Sequence, residues 1–149
     1  SAGQPPTASQ KPGDGSDAGD AGGGADGTVA KDFLGTWKGE VRTDKNMSNG
    51  MLTVRISEGR VGDEAVRTVV TLPGNKQCKG AGTLTKVTDK KLTMRERGVG
   101  KPPEVLGVKL CTENVSTATL TRTGDGELRY ASNDEGGGNP TADLTRDQP

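Results

Sequence analysis

From Phe33 onward the sequence is a series of short alternating runs rich in Thr, Val and Leu, separated by turn signals. Their spacing of roughly 8–12 residues is that of a β-sandwich or barrel. Read with a period of two, the chain predicts strands near 36–43, 51–58, 64–72, 78–87, 90–97, 115–123, 126–132 and 140–146, and no convincing helix. One face of each strand is apolar or small: Trp37, Gly39 and Val41; Leu52, Val54 and Ile56; Val66, Val70 and Leu72; Gly82 and Leu84; Leu92 and Met94; Ala118 and Leu120; Leu128 and Tyr130; Ala142 and Leu144. Simple hairpin pairing sets Val41 opposite Val54, Val66 opposite Leu84, Leu84 opposite Met94 and Ala118 opposite Tyr130. A one-residue slip would turn every one of these faces to solvent. Eight antiparallel strands in sequence close on themselves and remove both edges. The expected fold is therefore all-β, a small eight-stranded antiparallel up-and-down β-barrel, with a sandwich as the alternative.

Such a core is poor. Apolar residues are 28% of the chain and glycine accounts for 24 residues, against a usual apolar share of roughly 45–50%. Residues 1–30 hold almost nothing but Gly, Ala, Asp, Ser, Pro, Thr and Gln. Too little apolar surface is present there to offset chain entropy, so 1–30 reads as a disordered tether and 31–149 as the barrel domain. The tether's random-coil reach is about 30 Å, which suits a domain held off a surface such as a membrane. Gly22–Gly27 faintly resembles a calcium-binding repeat, but it occurs once and such repeats need stacked copies. The opening Ser1-Ala2-Gly3-Gln4 reads as trimmed, with any anchor lying before it.

Cys78 and Cys111 are free thiols, half a metal site or a disulfide. They lack CxxC spacing and the chain has no histidine, which favours a disulfide and an oxidising compartment. Closing a loop of that length contributes about 3.7 kcal/mol in the chain-entropy model. No metal and no cofactor is expected. Lys+Arg and Asp+Glu balance at 20 each, so charge does not point to nucleic acid. No run approaches the ~18 apolar residues of a membrane span.

Connections in an up-and-down barrel alternate between its ends. One end receives Gly59–Asp63, Thr88-Asp89 and the Thr123–Gly126 turn, with the start of the first strand and the end of the last. The other receives the long loops Asp44–Gly50, Pro73–Gln77, Gly98–Asn114 and Asn133–Pro140. Loops carry binding more often than their scaffold, so the long-loop end is the expected functional face. Its candidate contacts are Asn46, Met47, Asn75, Lys76, Lys101, Glu104, Asn133, Asp134 and Glu135. A Cys78–Cys111 bridge would pin the longest loop across that mouth.

Gly35-Thr36-Trp37, with Arg146 on the same face as Leu144, resembles the calycin pattern of lipocalins and avidins. The resemblance implies an arginine stacked on the first-strand tryptophan, a structural contact of about 0.5–2 kcal/mol. A second resemblance covers residues 33–146. Phe33–Gly39, Gly50–Val54, Cys78-Lys79-Gly80, Gly124–Tyr130 and Leu144-Thr145-Arg146 are similar to the extracytoplasmic C-terminal domains of actinobacterial membrane-spanning serine/threonine protein kinases and related secreted lipoproteins. It implies a sensor role outside the cell, without supplying a kinase segment or a transmembrane helix.

With no histidine, Ser–His and Cys–His nucleophile systems are excluded, and the domain is expected not to be an enzyme. Glu96 faces inward near Gly82 and is expected to reach solvent or pair with a lysine. Gly98-Val99-Gly100-Lys101 lacks the spacing of a phosphate loop. On the outer face Arg55 stands opposite Arg67, with Thr83 and Arg95 along the same belt and Glu40 beyond Arg55. Such a belt suits an anionic surface, or is screened by Glu40 and salt. The leading expectation is a monomeric sensor or binding module for an unidentified ligand or protein partner outside the cell. The alternatives are a protease inhibitor that uses residues 1–30, and a passive cell-surface spacer.

Overall fold

The computed structural model describes residues 27–147. Its strands are β1 (Gly35–Arg42), β2 (Ser48–Ile56), β3 (Val66–Leu72), β4 (Lys76–Val87), β5 (Lys91–Gly98), β6 (Glu104–Val105), β7 (Val108–Lys109), β8 (Ser116–Gly124), β9 (Glu127–Ser132) and β10 (Thr141–Arg146). Eight of them close a barrel in the order β9-β10-β1-β2-β3-β4-β5-β8, with every neighbour antiparallel. Period two therefore located each barrel strand. The sequence reading missed the β6–β7 hairpin, which stands off the barrel inside the 98–114 connection. Its tip is Leu106-Gly107, both at positive φ (53° and 80°), a two-residue turn of the kind that joins tight hairpins.

Faces matched expectation, but register did so only in part. Leu84 pairs with Met94 as expected. Val54, however, lies opposite Trp37 rather than Val41, Val66 opposite Gly82 rather than Leu84, and Tyr130 opposite Leu120 rather than Ala118. Each difference is an even number of residues, so the side chains keep their face. Glycines explain two of the shifts. A Cβ on Gly82 would fall 2.3 Å from Met94 Sδ, and one on Gly39 would fall 2.1 Å from the Asp143 carbonyl oxygen. Gly82 stands opposite Val66 because Met94 already fills the lumen there, and Gly39 stands opposite Leu52 because the β10 backbone approaches too closely for a side chain. Irregularities at Glu40/Arg42, Leu84/Lys86 and Glu127/Leu128 absorb the remainder.

The closed end is plugged from outside the strands. A 3-10 turn at Lys31–Phe33 carries Phe33 into the core, fully buried. Trp37 donates its indole N–H to the Phe33 carbonyl at 2.9 Å. Arg146 lies 4.3 Å over the Trp37 ring and donates to the carbonyls of Leu34 (2.6 Å) and Asp32 (2.9 Å). Gly35 adopts φ 118°, and a Cβ there would sit 2.9 Å from the Arg146 guanidinium. The glycine two residues before Trp37 is thus what admits the arginine.

The folded unit also begins before residue 31, contrary to the expected boundary. Thr28 bridges to Arg60, Val29 donates to the Gly59 carbonyl at 2.8 Å, and Val29 is buried in the core. The rest of the expected tether, including most of the Gly22–Gly27 stretch, lies outside the described residues. The inhibitor reading rests on that segment.

The outer belt is arranged differently from expectation. Arg55 does face Arg67, and Thr83 faces Arg95. Arg55's neighbour on β1 is Thr36, because the β1–β2 register places Glu40 beside Met51. Glu40 instead holds Arg42 (2.9 Å) and Ser48 (2.7 Å). Glu64 is the screening carboxylate, at 2.8 Å from Arg67 and 2.7 Å from Arg97. These contacts hold both glutamates below their ordinary carboxylate value. The Ser48 hydroxyl is the first cause for Glu40, and the Arg67 hydrogen bond is the first for Glu64.

Candidate functional site

The lumen is filled over its lower half and open above. Leu92, Met94, Leu120, Leu128 and Leu144 occupy the closed side with at most 1% exposure. Beyond them the inward positions turn polar or small: Thr68 on β3, Cys78 and Gly80 on β4, Glu96 on β5, Ser116 on β8, and Tyr130 and Ser132 on β9. Together with Val41, Leu52, Val70 and Leu72 they line a cup of about 470 Å³ that opens at the long-loop end. That is within the ~300–1,000 Å³ range of ligand pockets.

Glu96 forms the floor of the cup. One carboxylate oxygen accepts the Tyr130 hydroxyl at 2.5 Å and the other accepts Thr68 Oγ1 at 2.7 Å. Neither donor is on a strand adjacent to β5. The reach to Thr68 passes over Gly80, which pairs with Thr68 across β3–β4. A Cβ on Gly80 would lie 2.6 Å from Thr68 Oγ1 and 3.1 Å from a Glu96 oxygen. On the other side Glu96's own partner on β8 is the small Ser116. The carboxylate is thus flanked by small residues, and hydroxyls from two further strands converge on it.

Of the two expectations for Glu96, reaching solvent or pairing with a lysine, the first holds, since it borders the open cup. It is half-buried and tied to two neutral hydroxyls, and among the described residues no lysine or arginine pairs with it. Burial first, and then the Glu96 charge, raise the Tyr130 phenol far above its ordinary value, so it stays a hydrogen-bond donor.

The rim is fastened by the expected disulfide. Cys78 and Cys111 are joined at an S–S distance of 2.06 Å, with Cα atoms 5.6 Å apart. The bridge holds the returning arm of the 98–114 connection against β4, and residues Leu110–Asn114 become part of the wall. Asp134 accepts the Thr112 hydroxyl at 2.6 Å, a second tie between that arm and the 133–140 loop.

Of the nine loop residues expected to make contacts, Lys101 and Asp134 border the cup. The other seven share its end of the barrel without lining it. Asn46 and Asn75 occupy turn positions at φ 60°, and Met47 is exposed at the same tip as Asn46. Lys76 is paired with Leu72 at the start of β4, and Glu104 with Lys109 in the outlying hairpin. Asn133 spends its side-chain oxygen on the Thr117 backbone N–H at 2.9 Å. Glu135 opens a 3-10 turn closed by its own carbonyl. Sequence reasoning missed Thr68, Ser116 and Ser132, and it counted Tyr130 only as core. Their signal was polarity at inward positions near the open ends of β3, β8 and β9.

No protein-family model matches the sequence, and no curated protein matches it. A solved structure described as a redesigned beta barrel is similar, with a TM-score of 0.57 and 16% identity over 77% of this chain and 91% of that one. At that identity the likeness concerns the fold alone. Among the described residues no helix is long and apolar enough to cross a membrane.

Proposed function

We propose that this chain is a non-catalytic binding domain that takes its ligand, or a protruding part of a protein partner, into the open cup above Glu96. The observation that carries this reading is the cup itself, about 470 Å³ in volume, with apolar walls and a few convergent polar groups. Its rim is stapled by Cys78–Cys111, so the site is largely formed before binding, which lowers the ordering cost. The absence of histidine from the sequence and the joining of both cysteines leave the floor groups suited to hydrogen bonding rather than to nucleophilic attack. The disulfide supports an oxidising, extracytoplasmic setting. The resemblance to kinase-linked extracytoplasmic domains supports a sensor role on a membrane-associated signalling protein or lipoprotein.

The test is backbone NMR of the whole chain titrated with a panel of short aliphatic alcohols, amines and carboxylates. Saturable shifts clustered at Gly80, Glu96, Ser116 and Ser132, with Trp37 at the closed end unmoved, are expected. Shifts scattered over the outer faces, or none across the panel, would overturn the reading.

A further inference from the structure

From the floor of the cup we infer the class of ligand, an inference that rests on the binding reading above. We propose that the site takes a primary ammonium or guanidinium group carried on an aliphatic stem.

The surroundings of Glu96 lead there. Elsewhere around the barrel the carboxylates that make ion pairs have cations in place: Glu64 has Arg67 and Arg97, Glu113 has Lys109, and Asp143 has Arg129. Glu96 sits lowest in the cup and has only Thr68 and Tyr130 hydroxyls. Two neutral donors leave about half of a carboxylate's four acceptor positions unused. Those positions border the cavity. A cationic head entering the cup can fill them with charge-assisted hydrogen bonds, which are stronger than bonds between neutral groups. Asp134 borders the same cavity nearer the rim, adding a second negative charge along the path inward. Lys79, Arg97 and Lys101 border the cavity as well, and so does Glu113; Arg97 is held by Glu64 and Glu113 by Lys109, and none of the three cations pairs with Glu96, so its free positions stay open to an incoming cation.

The walls decide between kinds of cation. A quaternary ammonium is held by a cage of aromatic faces. The whole chain has one Trp, one Tyr and one Phe, and Trp37 and Phe33 are packed at the closed end. The cup offers instead oxygen acceptors (Glu96, Asp134, Ser116 and Ser132), which an N–H-bearing cation can donate to and a trimethylated one cannot. Val41, Leu52, Val70 and Leu72 form the apolar part of the wall, suited to methylenes behind the charged head. A free alkylamine and the side chain of a lysine or arginine in a peptide both present this chemistry.

The experiment is calorimetry on the full chain with hexylamine, hexyltrimethylammonium, hexanol, hexanoate and N-acetyl-lysine amide. Hexylamine is expected to bind at least about tenfold more tightly than hexanol or the trimethylammonium analogue, with no binding of hexanoate. Comparable or tighter binding of N-acetyl-lysine amide would assign the source to a peptide, and weaker binding to a free amine. Glu96→Gln should lower hexylamine affinity by about tenfold or more and leave hexanol unchanged, with thermal unfolding confirming that the variant is folded. The comparison of hexylamine with its trimethylammonium analogue needs no variant and stands if the substitution unfolds the chain. Equal binding of hexanol and hexylamine would overturn the ligand class and leave the cup as a binding site. Failure of every probe would overturn both.

Discussion

Replacing Gly80 by alanine tests the floor of the cup directly. Gly80 is not among the glycines at positive φ, so alanine is allowed there on backbone grounds. By itself the change should stabilise by about 0.4–1 kcal/mol, through a smaller unfolded-state entropy. In the barrel the new methyl carbon would lie 2.6 Å from Thr68 Oγ1, 3.1 Å from the Arg97 carbonyl oxygen and 3.1 Å from Glu96 Oε2. Thr68 must rotate away and give up its 2.7 Å bond to the carboxylate. A hydrogen bond to a charged group contributes about 1.5–3 kcal/mol, so the net loss should be about 1–2 kcal/mol. For a domain of this size that lowers Tm by about 3–10 °C. In a Thr68→Ala background the obstructing hydroxyl is gone, and Gly80→Ala should be neutral or slightly stabilising. Urea denaturation of the wild type, both single variants and the double variant gives the coupling energy, expected near 2 kcal/mol. A Gly80→Ala loss that is the same in both backgrounds would show that the Thr68–Glu96 contact is not what the glycine protects.

Three further outcomes are open to measurement. Reducing the disulfide, or replacing both Cys78 and Cys111 by alanine, should cost up to about 3.7 kcal/mol. Hydrogen exchange should rise first in Leu110–Asn114, while the amides around Trp37 stay protected. The Tyr130 phenol is raised in the barrel, whereas in the unfolded chain it ionises near 10. Its contribution is therefore complete below about pH 10 and is lost as pH rises beyond it. Since the chain has one tyrosine, ultraviolet absorbance should show phenolate appearing only together with unfolding; free ionisation in the folded barrel would contradict the Glu96 contact. Glu64 is lowered from about 4.5, so what it contributes is present above that pH and lost as pH falls through its folded value. Glu64→Gln should accordingly flatten the dependence of Tm on pH below 4.5.

Much of the barrel could be read from alternation alone, because a strand's inward set depends only on parity. Trp37, Leu52, Val66, Leu84, Leu120 and Leu144 were placed on the correct face without any knowledge of their neighbours. The disulfide was legible because two cysteines leave a single pairing. The Trp37–Arg146 contact was legible from the resemblance of Gly35-Thr36-Trp37 and Arg146 to the calycin pattern.

Register is a different kind of information. Even-numbered shifts leave the hydrophobic pattern intact, so the pairing of Val66 with Gly82 was settled by side-chain volume in the lumen, which no single strand records. The site is one step further removed. Glu96 acquires Thr68 and Tyr130 only after the barrel closes, from strands two places away on either side, with Gly80 leaving the room to reach Thr68. Loop length pointed to the end of the barrel where the cup opens, but it carries no direction for the side chains. Asn46 and Asn133 were therefore expected to meet a partner, and tertiary structure assigned them to a turn and a backbone hydrogen bond. By itself the sequence determined which residues face inward. Closure decided which of those inward residues touch, and with that the shape of the cup, because contacts across the lumen depend on distances that only the finished barrel sets.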